Sequence, residues 1–330
     1  MNYQALPKVE LHLHLDCSLS YDVVKKIRPD ISFETYADSF IAPPKCTDLA
    51  DYLTRAVKGF ELMQTKEQLR LVTLDLFDQL KADNVIYAEI RFAPLLHIAG
   101  GLSAKEVVEI INEATGEGIK ATGVEARLLL CTLRHYSEAQ SMQTVELVNE
   151  FKGTYVAGFD IAGDEAGFPL DNHIDAYDYA HKHSISCTAH AGEARGADSV
   201  WETLEDFRPS RIGHGVRSAE EDKLLGVLKR DDIHLEVCPT SNVQTNVVDT
   251  IQDHKADYIY NYGVSMSIST DARTISDTTL TKEYGLMEKT FNWNKEHFLK
   301  CNLEAIRHSF IPEELKASLR SRIEKAYAEE

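Results

Sequence analysis

The sequence predicts a (β/α)8 TIM barrel, one domain over residues 1–330, with extra helices between the first and second strands. Three observations predict it. Eight short β-type runs recur along the chain, at residues 9–16, 85–94, 126–133, 155–162, 184–191, 211–216, 233–239 and 264–271. Amphipathic helical patterns separate several of them, at 104–121, 139–152, 198–207 and 220–229. Alternating strands and helices argue for a parallel sheet, and eight of them for its closure into a barrel. Finally, the polar residues of the runs gather at their C-terminal ends, which in a closed parallel barrel converge on one mouth.

The first run reads Val9-Glu10-Leu11-His12-Leu13-His14-Leu15-Asp16. Residues two apart on a strand share a face, so His12 and His14 project side by side, with Asp16 beyond them. The next connection spans roughly 65 residues, far above an ordinary βα loop. Within it Thr47 can cap a helix whose apolar residues Leu49, Tyr52, Leu53, Ala56, Val57 and Phe60 follow helical spacing. That helix either packs on the barrel flank or covers the mouth as a lid. Later, His190-Ala191-Gly192-Glu193 ends the fifth run, His214 lies in Gly213-His214-Gly215 of the sixth, and Asp271 ends the eighth.

Composition narrows the partners. Against 35 Lys and Arg stand 53 Asp and Glu, a formal charge of −18. Such a surface repels phosphate backbones and anionic lipid, so neither nucleic acid nor a membrane is expected as partner. No early stretch has the pattern of a signal peptide, and no apolar run approaches the roughly 20 residues of a bilayer span. The six cysteines are scattered without a CxxC pair. A reducing, cytoplasmic compartment without disulfides is the expectation. The oligomeric state is left open.

The strand-end residues form a chemical set. Catalytic zinc takes three or four nitrogen and oxygen ligands and keeps a position for water, whose pKa falls to roughly 7. His12, His14, His190 and Asp271 supply such ligands. Glu193 lies close enough to a ligand to trade a proton with a bound substrate, and His214 could orient or deprotonate the water. Each residue alone has a plainer reading: a hydrogen-bonded strand-end histidine, or a carboxylate capping the next helix. It is their shared end of the barrel that favours a metal site. His97, His135, His173, His234, His254, His297 and His308 show no such grouping. His181 and His183 repeat the HxH spacing, but in a helical stretch, where residues two apart do not face each other.

These motifs make the chain resemble the adenosine deaminase family, a zinc-dependent branch of the amidohydrolases. The resemblance covers Lys8 to Asp16, Gly158-Phe159-Asp160-Ile161-Ala162-Gly163-Asp164-Glu165, His190 to Glu193, Gly213-His214-Gly215, Ser269-Thr270-Asp271 and Ser309-Phe310-Ile311-Pro312-Glu313-Glu314. It implies a single Zn2+ held by His12, His14, His190 and Asp271. It implies that Glu193 protonates purine N1, that His214 holds and helps activate the water, that the Gly163 backbone meets purine N3 and that Asp16 binds the ribose. Leu49, Tyr52, Leu53 and Ala56 align with a hydrophobic lid. The implied reaction is hydrolytic deamination of adenosine and 2′-deoxyadenosine. The fourth run lacks the bridging lysine of binuclear relatives, in keeping with one zinc.

Three positions depart from the family pattern. Ala272 stands where a second aspartate hydrogen-bonds purine N7, with Arg273 where proline is frequent. Cys17 replaces the glycine after Asp16. These changes leave the hydrolytic set intact and bear on the substrate. A different 6-aminopurine is the alternative: adenine, or 6-aminodeoxyfutalosine, whose carboxylate Arg273 could meet. An ester or amide hydrolase on the same barrel and a non-catalytic nucleoside-binding protein are the readings from other classes.

Overall fold

The computed structural model describes residues 2–329. Eight parallel strands are hydrogen-bonded in sequence order: β1 (Lys8–His14), β2 (Val85–Phe92), β3 (Glu125–Leu133), β4 (Val156–Ala162), β5 (Ser186–Ala191), β6 (Arg211–His214), β7 (His234–Val237) and β8 (Met266–Ile268). The seam between β8 and β1 is narrow. His14 N–H donates to the Asp271 carbonyl at 2.8 Å and Asp271 N–H to the His12 carbonyl at 3.0 Å.

Four helices fill the long first connection: α1 (Tyr21–Ile27), α2 (Phe33–Phe40), α3 (Leu49–Phe60) and α4 (Lys66–Ala82). The strands that follow alternate with α5 (Ala104–Thr122), α6 (Glu138–Glu150), α7 (Ile174–Lys182), α8 (Ala197–Asp206), α9 (Asp222–Arg230), α10 (Pro239–Gln244) and α11 (Ala256–Tyr262). After β8 come α12 (Leu280–Phe291), α13 (Lys295–His308) and α14 (Glu313–Glu329). Apolar residues such as Val107, Val108 and Ile111 of α5 are buried against the sheet, as their spacing requires. Ser103 closes the N-terminus of α5 with Glu106 in a reciprocal capping box.

The barrel interior is charged. Glu89, Arg91, Asp160, Arg211 and Glu236 are fully buried. Arg91 bonds Asp160 and Glu236, each at 2.7 Å, and Arg211 bonds Glu89 at 2.6 Å and Glu236 at 2.8 Å. Three carboxylates against two guanidinium groups leave no charge unpartnered, which is the condition for keeping ions out of water.

The structure corrects several sequence boundaries. β1 ends at His14, and Asp16 sits in a 3-10 turn (Leu15–Cys17), so it reaches the mouth from a turn rather than along the strand face. β8 ends at Ile268, and Asp271 lies beyond it at φ 64°, held by the seam hydrogen bonds. The cap of α3 is Asp48, whose carboxylate accepts from Asp51 N–H at 2.8 Å, while Thr47 N–H donates to the Asp51 side chain. A carboxylate satisfies the helix start better than the neighbouring threonine.

Candidate active site

At the mouth of the barrel, imidazoles and a carboxylate point at one another. His12 Nε2 lies 3.3 Å from Asp271 Oδ1, His14 Nε2 lies 3.4 Å from the same oxygen, and His14 Nε2 is 3.2 Å from His190 Nε2. Two ligand atoms about 2.05 Å from a shared tetrahedral zinc stand about 3.3 Å apart. The spacing therefore fits such an ion, and His12 Nε2 is buried without a hydrogen-bond partner among the described residues. The set whose ligand atoms all lie within 4.8 Å of one another is His12, His190, His214 and Asp271; it takes in His214 and leaves out His14, so distance alone does not assign the fourth ligand.

Hydrogen bonds behind the rings prepare them. His12 Nδ1 is 2.8 Å from Glu236, and His190 Nδ1 lies 3.2 and 3.3 Å from the two oxygens of Asp160. A carboxylate can only accept, so each neutral ring carries its hydrogen on Nδ1 and turns a lone pair at Nε2 toward the mouth. Arg91 bonds both carboxylates and ties the two supports together. Ser241 donates to Asp271 Oδ2 at 2.7 Å, leaving Oδ1 toward the histidines. His214 and Asp271 both adopt left-handed backbone, with φ of 59° and 64°. Such strain costs about 1–3 kcal/mol per residue and is retained mainly where a site needs the geometry.

Glu193 faces this cluster, with Oε2 3.6 Å from His214 Nε2. Burial, then the charges of Asp271 and Glu165, push its carboxyl well above the usual range, which favours its protonated form. Glu165 fixes the loop that carries it, accepting from Gly192, Glu193 and Arg195 N–H at 2.8, 2.9 and 3.0 Å and also from Ala194 N–H.

A cavity of about 300 Å³ opens beside these groups. His14, Asp16, Gly163, His190, Glu193, His214 and Asp271 line it, together with Leu49, Tyr52 and Leu53 of α3. The apolar face of α3 thus covers the mouth rather than the barrel flank. Burial raises the Asp16 carboxyl to about 6. Cys17 and Ala272 both border the cavity, and Ala272 packs with Leu49, Tyr52 and Ile275.

Arg273 does not reach the cavity. It is buried and bonds Glu10 at 2.7 Å and Asp83 at 3.0 Å, which overturns the expectation that it could meet a substrate carboxylate. A guanidinium already holding two carboxylates cannot be withdrawn without leaving them unpaired. Among the described residues, no lysine or arginine lines the cavity.

Asp160 and Glu165 lie in the motif from Gly158 to Glu165 without an assigned role there, and no motif marks Glu236, Arg91, Asn242 or His254 as part of the site. Charged residues inside otherwise apolar strand runs were the available signal for Asp160, Glu236 and Arg91. His135 also lines the cavity although no motif grouped it. His181 bonds the Phe207 carbonyl at 2.7 Å, away from the mouth.

Comparison with known proteins identifies the family and the fold. A family model described as adenosine deaminase matches residues 7–326. An adenosine deaminase of Enterococcus faecalis is 35% identical over 98% of this chain and 97% of its own length. One from Clostridium acetobutylicum is 34% identical over 97% of both chains. Among solved structures, the adenine deaminase of Arthrobacter aurescens superposes with a TM-score of 0.89 at 24% identity, covering 97% of this chain and 98% of that one. A Burkholderia ambifaria amidohydrolase with bound Zn gives 0.90 at 20% identity, covering 99% and 92%. At these identities the structural matches speak for the fold, whereas the sequence matches span the motifs themselves. The chain belongs to the adenosine deaminase family.

Proposed function

We propose that this protein hydrolyses adenosine and 2′-deoxyadenosine to inosine and 2′-deoxyinosine with release of ammonia, using one Zn2+ held by His12, His14, His190 and Asp271. The observation that carries the reading is the approach of these four residues at 3.2–3.4 Å at the base of a cavity that Glu193 also lines. A zinc ion bound there would acidify a water molecule beside the purine. Glu193 donates its proton to purine N1, which makes C6 electrophilic. His214 orients the attacking oxygen, Asp16 meets the ribose and the Gly163 backbone meets N3. Leu49, Tyr52 and Leu53 cover the base and exclude water. The absence of lysine from β4 favours one ion over a bridged pair.

Two features favour a neutral nucleoside. A buried phosphate or carboxylate would lie near Asp16 and Asp164 without a lysine or arginine in the lining. This disfavours nucleotides and 6-aminodeoxyfutalosine, and Asp16 in the lining favours a ribosylated purine over free adenine. No described helix is long and apolar enough to cross a membrane. The test is initial-rate kinetics on adenosine, 2′-deoxyadenosine, adenine, AMP and 6-aminodeoxyfutalosine. The two nucleosides should have the highest kcat/KM, and chelation should abolish turnover that Zn2+ restores. Faster turnover of aminodeoxyfutalosine would overturn the substrate assignment.

A further inference from the structure

We propose that Asn242 and His254 are positioning residues that hold His214 as its Nε2–H tautomer, through a hydrogen-bond chain anchored on the backbone N–H of Ala256. The chain begins at a group whose donor character is set by its covalent structure. Ala256 N–H donates to His254 Nδ1 at 3.0 Å, so that nitrogen presents a lone pair. A neutral imidazole with Nδ1 accepting carries its hydrogen on Nε2. His254 Nε2 lies 3.1 Å from Asn242 Oδ1, and this donor fixes the orientation of the amide. The Asn242 amino group then faces His214 Nδ1 at 3.0 Å and donates to it. His214 Nδ1 is an acceptor, and its hydrogen must be on Nε2.

All three side chains are buried, so no water competes for these bonds. Burial, with the Lys255 charge, lowers the His254 pKa to about 3, and the doubly protonated ring that would reverse the chain is absent at neutral pH. Ala256 is the first residue of α11, and its N–H would otherwise lack an intrahelical partner. The start of one helix thereby sets the proton position at the mouth.

The consequence separates His214 from its neighbours. His12 and His190 are backed by carboxylates and turn lone pairs inward, whereas His214 is backed by a donor and turns a hydrogen inward. It is excluded as a ligand through Nε2, and in the resting enzyme it cannot accept a proton there. Its part in the proposed deamination is to donate a hydrogen bond to the oxygen that attacks C6, as that oxygen bears negative charge. This last step rests on the proposed function; the tautomer does not.

The test is a long-range 1H–15N spectrum of the 15N-histidine-labelled, zinc-loaded protein, with His214 assigned by its loss in His214→Asn. His214 should show a protonated Nε2 and an acceptor Nδ1. Asn242→Asp offers acceptors to both rings and should transfer the His214 hydrogen to Nδ1. Its kcat should fall about 10²–10³-fold with KM and zinc content unchanged, the scale of a lost oxyanion donor. His254→Gln keeps an N–H for Asn242 and should retain kcat within about threefold, whereas His254→Leu should lose about tenfold or more. An unprotonated His214 Nε2 in the native spectrum overturns the proposal, and so do equal kcat losses in the two His254 variants or an unchanged kcat in a folded Asn242→Asp. If the spectrum shows Nε2–H but adenosine is not turned over, the functional reading fails and the hydrogen-bond chain stands.

Discussion

Asp160→Asn tests the support behind the metal site. The Asp160 carboxylate accepts from Arg91 Nη1 at 2.7 Å, from Ile161 N–H at 2.8 Å and from His190 Nδ1 at 3.2–3.3 Å. An asparagine amide fits neither way round. With its amino group on one side it faces the Ile161 N–H, and on the other it faces the Arg91 guanidinium. Burial alone would raise this carboxyl, but His190 and Arg91 hold it below the ordinary range, so it is charged at neutral pH. Removing one member of a buried ion pair costs about 3–5 kcal/mol. For 330 residues the unfolding entropy is about 0.7 kcal/mol per kelvin, so Tm should fall by about 4–7 °C. His190 also loses the acceptor that fixes its tautomer, which should weaken metal binding by about 10–100-fold. Because the folded pKa is depressed, the stabilisation is present above the ordinary carboxylate range and is lost as pH falls through the folded value. The measurements are thermal unfolding at pH 7 and competition for Zn2+ with a chromogenic chelator. Native Tm together with native zinc affinity would refute the reasoning.

Glu193→Gln should lower kcat by about 10²–10⁴-fold while zinc content, read by elemental analysis, stays native. Glu283, a buried carboxyl on α12 bonded by Thr240 N–H and the Thr278 hydroxyl, is raised to about 7 chiefly by burial. It stays protonated in the folded state while the unfolded chain ionises, so stability should decline as pH rises from about 4.5 to about 7, by up to roughly 3 kcal/mol. Glu283→Gln should flatten that slope in urea unfolding. Ala272→Asp should raise the preference for adenosine over 7-deazaadenosine about tenfold without changing metal content; identical kinetics across purine nucleosides would make the position irrelevant. Leu53→Ala should raise KM for adenosine by about tenfold with little change in kcat, read from initial rates.

Much of the site was legible because its groups lie at strand ends in short motifs. His12 and His14 declared themselves by two-residue spacing, and the count of eight strands supplied His190 and Asp271 as partners. The residues that aim these groups were harder to see. Glu236 and Asp160 are single charges in apolar runs, and only the closed barrel shows that one guanidinium, Arg91, bridges them. Arg273 misled in the other direction. Beside Asp271 in sequence, it read as a mouth residue, but the chain turns at Asp271 and carries its side chain to Glu10 and Asp83. Of the α3 stripe, Leu49 and Tyr52 are buried, whereas Leu53, Ala56 and Phe60 are half-buried and Val57 is exposed, because the stripe faces an open cavity that only the fold reveals.

The narrow seam between β8 and β1 has a consequence of its own. Three of the four proposed ligands, His12, His14 and Asp271, are the residues whose backbones close it. An ion bound to their side chains would act as a cross-brace on the joint where the barrel has its fewest bonds. Its binding energy would then serve as closure energy for the fold. Loss of the ion and loosening of the barrel become one event, and the exchange rates of the His14 and Asp271 amides become a gauge of occupancy.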